Sequence, residues 1–317
     1  MLIMGTYVAL FKYWGEGPIW PYGGFDTQCK KYWWRNLLYI QNFFKQSEMC
    51  MGWSWYLALD MQFFLLSPIL VLPFLKLPLV GLAISGALLV ANIVATAVIT
   101  AQKKYYDELT ATIGAINTRQ FGVLAMQQHF FEDLYVKPWA RIGPYLVGIV
   151  TGYILHFTGR KLKMHWALAV TGWMVAATIA LSVIYGPYQQ AQGHLMTTAG
   201  SAAYSSLHRI AWATAVAWVI VACDAGYGGF VTKLLSWEVF VPLSRLTYTA
   251  YLVHPVAIYW FYLSRHDVPF FSLSGFVYYF IGHAAVSYGV ALIFSLGLES
   301  PIMNIEKVVF RRDRRGQ

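Results

Sequence analysis

The sequence predicts an all-α fold, a polytopic membrane helical bundle, and three observations carry that reading. Of 317 residues, 58% are hydrophobic and only 12% charged, against about 25% charged in an ordinary soluble domain; mean hydropathy is +0.50. Apolar runs close to the ~20 residues that cross a hydrocarbon layer recur along the chain. Aromatic residues make up 17%, as expected where Trp and Tyr gather at membrane–water interfaces. Backbone groups in lipid must be satisfied within the chain, which favours helices. Runs such as ANIVATAVIT and WATAVAWVIVA lack the alternation of a barrel strand.

The periodicity gives about eight transmembrane segments, the first incomplete: 1–13, 55–75, 79–100, 141–158, 164–186, 206–223, 243–264 and 273–297. The opening MLIMGTYVALFKYW is apolar but too short to span. It lacks the basic start and small-residue cleavage site of a signal peptide, so it reads as the second half of a helix. Segment 14–54 is a hydrophilic, aromatic-rich loop. Segment 101–140 mixes aromatics with charges, contains helix-compatible stretches and ends in a Pro138-Trp139 turn. Segment 187–205 is small and polar. No repeat or low-complexity tract divides the chain, so residues 1–317 read as one integral-membrane domain.

Orientation follows from compact basic clusters. GRKLK at 159–163 and FRRDRR at 310–315 are expected in the cytoplasm by the positive-inside rule, which makes 300–317 a cytoplasmic basic tail. Loops 14–54, 101–140, 187–205 and 265–272 then face the lumen or exterior, with the endoplasmic reticulum or plasma membrane as host. The net charge of +9 belongs to such loops and tail rather than to a nucleic-acid surface. If loop 14–54 faces an oxidising compartment, a Cys29–Cys50 disulfide is expected; two free thiols are the alternative. No Cys/His cluster has metal-ligand spacing, so no metal site is expected.

The block from Cys29 to Leu70 carries most of the functional signal. In WSWYLALDMQFF one acid, Asp60, enters an otherwise apolar run. An intramembrane carboxylate is costly unless something pairs with it or uses it. Asp60 is therefore a candidate for orienting a catalytic base or gripping a polar substrate group, with Trp55, Tyr56 and Gln62 beside it; pairing with a nearby cation is the bland alternative. His254, in LTYTAYLVHPVAIYWFY, is a candidate general base, because imidazole titrates near neutrality. Its alternative is a neutral ring bonded to a neighbouring helix. Arg245 could hold an anionic head bidentately, or snorkel to the interface. Arg141 opens the fourth segment, and His208 and Arg209 open the sixth. All three are interface anchors by default, with a substrate role as the sharper reading. The remaining histidines, His283 among them, show no joint spacing. G-x-S-x-G, phosphate-cradling Gly loops and H-E-x-x-H are absent.

YWWRNLLYIQNFF, CMGWSWYLALDMQF, RIGPYLVGIVTGYIL and VPLSRLTYTAYLVHP occur in this order, preceded by ALFKYWGEGPIWP. Together they resemble the membrane acyltransferase 3 family, and within it the animal branch of nose-resistant-to-fluoxetine-like proteins. Trp55, Leu57, Asp60 and Phe63 fall near the family pattern W-x-L-x-x-E-x-x-F-Y, with Asp in place of the usual Glu. The resemblance implies transfer of an acyl group from a thioester donor to a hydroxyl of a lipid or carbohydrate. Acyl-CoA is then the co-substrate, with no other cofactor, and membrane lipids are the surroundings. A non-enzymatic lipid or small-molecule transport protein on the same scaffold is the alternative. The family's proposed catalytic His, which follows an Arg on its first core helix, has no counterpart here, so the chain is expected to begin about two helices late, as a truncated gene model, a fragment or an inactive isoform.

Overall fold

The computed structural model describes residues 2–20, 27–119, 122–123, 129–159, 162, 164–267, 270 and 272–310. These residues are helical, without strands. The main helices are α1 (Leu2–Leu10), α2 (Thr27–Leu37), α3 (Trp55–Lys76), α4 (Pro78–Lys103), α5 (Glu108–Thr118) and α6 (Ile142–Phe157). They continue with α7 (Trp166–Tyr185), α8 (Thr198–Asp224), α9 (Gly229–Leu235), α10 (Phe240–Leu263), α11 (Leu273–Phe294) and α12 (Ser300–Phe310). Five helical stretches among the described residues are long and apolar enough to cross a membrane: Gly52–Lys76, Pro78–Lys103, Trp166–Ala191, Thr198–Asp224 and Leu273–Ile305. The expected segment 141–158 is the shorter apolar α6. The expected segment 243–264 is α10, which has the length but carries Arg245, His254 and four tyrosines. Arg160, Lys161, Lys163 and the tail from 311, which carry the orientation argument, lie outside the described residues.

One boundary differs in a way that matters. The stretch 187–205, expected as a loop, holds a one-turn helix Tyr188–Ala191 and the first eight residues of α8. Thr197 caps α8 by accepting from the Gly200 N–H at 3.1 Å, a standard N-terminal device. Small polar residues then continue the helix because they are packed against neighbours: Ser201, Ala202, Ser205 and Ser206 are buried. His208 and Arg209 consequently sit roughly three turns inside α8 rather than at its opening.

The described residues pack as two compact units. The larger comprises Leu38–Met49 and Trp55–Leu234. Within it α8 packs on α4, α6 and α7, and α4 packs on α3 and α6. Its polarity is inverted relative to a soluble bundle. On α4 the buried face is Gly81, Ser85, Asn92, Thr96 and Thr100, whereas Leu79 is 81% exposed and Val80, Val90, Val94 and Val98 also face outward. Small and polar residues between helices, with aliphatic residues outside, are the membrane pattern: lipid tails remove any hydrophobic drive for helices to associate, so close approach and hydrogen bonds decide the interface. Tyr145 of α6 stacks on Phe63 of α3 at 5.1 Å and donates to the Phe63 carbonyl at 3.2 Å.

The smaller unit draws on Met1–Leu37, Cys50–Ser54 and Leu235–Gln317. A disulfide joins Cys29 to Cys50 inside a core of Tyr7, Phe11, Trp20, Met51 and Val256. Asn36 of α2 donates to the Cys50 carbonyl at 2.8 Å and to Ser54 Oγ at 2.9 Å. Trp53 donates to the Leu252 carbonyl of α10 at 3.3 Å, and Tyr251 donates to the Trp53 carbonyl. The block before α3 is therefore fastened to α10 through both the indole and the carbonyl of Trp53.

Gly143 shows how tight the larger unit is. A Cβ there would lie 2.7 Å from Asn92 Oδ1 and 2.7 Å from Ile210 Cγ1, whereas one at Gly148 would meet nothing within 4 Å. Gly143→Val is expected to lower stability by about 1–3 kcal/mol through overpacking, and Gly148→Val to leave it nearly unchanged. Thermal unfolding in detergent checks both.

Candidate functional site

The site is built around residues 129–141, a segment of the larger unit with little regular helix of its own. Side chains replace the missing helical bonds, as buried backbone polar groups require. Asn42 donates to the Val136 carbonyl at 3.3 Å, and buried Lys137 donates through Nζ to the Asn42 carbonyl at 2.9 Å. Burial holds the Lys137 ammonium below its ordinary pKa, with Asp133 and Glu132 opposing that shift. Glu132 accepts from the Gln46 N–H at 3.0 Å. Tyr105 donates to Asp133 Oδ2 at 2.6 Å, and Lys103 Nζ lies 3.4 Å from the same oxygen. Asn92, 4% exposed in the middle of α4, donates to the Trp139 carbonyl.

This lattice presents Arg141 at the start of α6. Its Nε donates to the Tyr135 carbonyl at 2.8 Å. The guanidinium lies over the Tyr135 ring at 4.3 Å and the Trp55 ring at 4.9 Å, and the two rings meet edge to face at 5.1 Å. A delocalised guanidinium suits such an aromatic cage. Its Nη2 is buried without a hydrogen-bond partner. Tyr135 ends a single π-turn, Phe131–Tyr135, a deformation often found at functional sites. Arg209 of α8 lies on the same ring at 5.9 Å and donates from Nη1 to the Ala140 carbonyl at 3.4 Å. Neither guanidinium has an ion-pair partner among the described residues.

Both arginines line a cavity of about 760 Å3 with Asp107, Tyr135, Ser205 and His208, and with apolar walls from Phe130, Pro144, Val183 and Trp212. Asp107 is occupied as the N-cap of α5, accepting from Thr110 N at 3.2 Å and Thr110 Oγ1 at 2.7 Å. His208 Nδ1 lies 2.8 Å from the Tyr204 carbonyl, and its ring stacks on that of Tyr204 at 4.8 Å. A carbonyl only accepts, so Nδ1 carries the proton, and a neutral ring keeps its Nε2 lone pair. The cavity thus combines two cations short of counter-charge with one orientable base.

The residues singled out in the sequence separate between the units. Trp55, Tyr56, Asp60, Gln62 and Arg141 belong to the larger one, and Arg245 and His254 to the smaller. Trp55 and Arg141 are in contact. Asp60 is exposed on α3, without a hydrogen-bond or ion-pair partner among the described residues. Gln62 pairs amide to amide with Asn42, at 2.8 and 3.2 Å, and donates to the Tyr39 carbonyl at 2.8 Å, so it fastens residues 38–49 to α3. Arg245 is exposed on α10. His254 lines a separate pocket with His283. His208 and Arg209, read from sequence as interface anchors, are wall residues of the cavity; the signal that could have found them is the Thr197 cap.

The phenol of Tyr105 is held above its ordinary pKa, first by burial and then by its hydrogen bond to Asp133. Its contribution to stability is complete below the unfolded value near 10 and is lost as pH rises above that, toward the folded value. The stability advantage of the wild type over Tyr105→Phe is therefore expected to be constant at neutral pH and to shrink above pH ~10. Paired unfolding curves across that range would show it.

An acyltransferase domain family model matches residues 1–296. The chain is 34% identical to nose resistant to fluoxetine protein 6 of Caenorhabditis elegans over 321 residues, covering 98% of this chain and 38% of that protein. It is 26% identical to regulator of hypoxia-inducible factor 1 of the same organism over 264 residues, covering 81% of this chain and 51% of that protein. The chain thus spans about half the length, or less, of the curated relatives it matches. No solved structure matches it.

Proposed function

Since the chain belongs to the acyltransferase 3 family, we propose that it moves an acyl group from a thioester donor, acyl-CoA, to a hydroxyl of a lipid or carbohydrate. The supporting observation is the pair of guanidiniums, Arg141 and Arg209, that share one cavity with His208 and have no ion-pair carboxylate among the described residues. Charge removed from water is costly unless compensated, and a guanidinium pairs with phosphate or carboxylate in a fixed fork. The cavity would therefore grip an anionic group on a substrate. His208 Nε2 would take the proton of the acceptor hydroxyl as its oxygen attacks the thioester carbonyl. The C–S bond then breaks, the thiolate leaves and recovers the proton from the imidazolium, and an ester remains. Asp60, on α3 one turn beyond Tyr56, would orient the acceptor. Trp55 would hold the Arg141 plane, and Gln62 would act one step away by fixing Asn42, which donates to the Val136 carbonyl ahead of Arg141. Arg245 would meet anionic headgroups from α10. The reading places the protein in the endoplasmic reticulum or plasma membrane, with its carboxyl end in the cytoplasm.

The mostly apolar walls, Phe130, Val183 and Trp212 among them, favour one second reading: lipid handling without covalent chemistry. Acyl transfer from labelled acyl-CoA in membranes carrying the chain separates the two. His208→Asn, which keeps an N–H for the Tyr204 carbonyl, is expected to lower kcat about 10²–10⁴-fold with little change in KM. Arg209→Gln is expected chiefly to raise KM, and Asp60→Asn to lower turnover. Unchanged kcat in His208→Asn would remove the base from the mechanism. Binding or uptake of a lipid analogue with no thioester consumption would favour the second reading.

A further inference from the structure

The smaller unit contains a pocket of about 320 Å3 between α10 and α11. Among the described residues its polar lining is Thr247, Tyr251, His254, His283, Ser287 and Tyr288, with no Arg, Lys, Asp or Glu; the Tyr251 hydroxyl is already engaged by the Trp53 carbonyl. Two of these groups are unusual for a helix interface. Ser287 is 3% exposed and its Oγ is buried with no hydrogen-bond partner, and His283 Nε2 is likewise buried and unpartnered. A serine in a helix ordinarily bonds the carbonyl one turn back, and a buried polar atom left unpaired costs about 1–3 kcal/mol. Thr247, by contrast, is satisfied by the Leu243 carbonyl at 2.9 Å. The His283 ring is fixed by an edge contact to Phe261 at 4.9 Å and by Tyr262 at 5.5 Å, so its free nitrogen is held in place. The remaining walls, Ala250, Ile258, Phe280 and Ala284, are apolar, and Phe280 is 66% exposed on α11.

We propose that this pocket binds the hydroxyl end of a neutral lipid, a long-chain alcohol or a sterol. A hydroxyl both donates and accepts, so one such group can satisfy Ser287 Oγ and His283 Nε2 together. A carboxylate or phosphate finds no arginine or lysine among the described lining residues, and a plain alkane leaves both polar atoms unpaired. The volume holds the polar end and the adjoining carbons of such a molecule, with the rest lying along the exposed apolar face of α11. This pocket belongs to the smaller unit and the arginine cavity to the larger, and its occupancy does not depend on acyl transfer.

The test is photolabelling of the full chain in detergent with a diazirine-bearing long-chain alcohol. Labelled peptides are expected from 247–258 and 280–288. Competition by unlabelled alcohol or by a sterol tells which of the two lipids is preferred; the matched alkane and the matched carboxylic acid are expected not to compete. Ser287→Ala is expected to reduce labelling several-fold while leaving thermal stability equal or higher, because it removes an unpaired hydroxyl. Equal competition by the alkane, or full labelling in Ser287→Ala and in His283→Phe, would overturn the proposal without touching the acyl-transfer reading.

Discussion

The hydrogen bond from Asn92 of α4 to the Trp139 carbonyl is the interaction on which the candidate site depends. It places an amide in the middle of an apolar helix, where its alternative is an unsatisfied polar group. The bond fixes the turn that precedes α6. With Gly143 packed against Asn92 and Ile210, it leaves the start of α6 a single position. Arg141 inherits that position. The tie from Asn42 to the Val136 carbonyl extends the same logic, and those from Lys137 to the Asn42 carbonyl and from Tyr105 to the Asp133 carboxylate bind the irregular segment's side chains to its neighbours.

The electrostatic character of the site follows from this rigidity. Arg141 and Arg209 lie on the same Tyr135 ring, while the cavity's carboxylate, Asp107, is engaged in capping α5. Like charges drawn together in a partly dry cavity cost free energy that folding alone does not return. Active and binding sites are where such costs persist, because a ligand of opposite charge offsets them. His208 is oriented by its own helix through Tyr204, so its geometry does not wait on a substrate.

Much of the fold was legible in the sequence, because long apolar runs without barrel-type alternation leave helices to satisfy a backbone in lipid. The family was legible from four collinear motifs around Trp55, Arg141 and Arg245. The start of α8 was not. TTAGSAAYSS reads as a polar loop by composition, yet its serines and alanines are buried between helices, where small residues are favoured. That misplacement moved His208 and Arg209 from the wall of a cavity to the rim of a helix. The grouping of His254 with His283 was also beyond reach, since it is made by two helices meeting rather than by spacing along one. Asp60 was conspicuous in sequence as a lone acid, and it stands exposed on α3.

The most direct test of this account is the dependence of thermal stability on anion concentration, in the wild type and in the double variant Arg141→Gln, Arg209→Gln. If the paired guanidiniums await an anionic ligand, inorganic phosphate or a phosphate-bearing lipid should stabilise the wild type progressively, by about 2.7 kcal/mol at a hundredfold excess over Kd. The double variant should show no such rise and should match or exceed the wild type without anion. A wild type indifferent to anions, together with a double variant that is destabilised at every concentration, would mean that the two arginines serve the fold alone, and the substrate-binding account would fail.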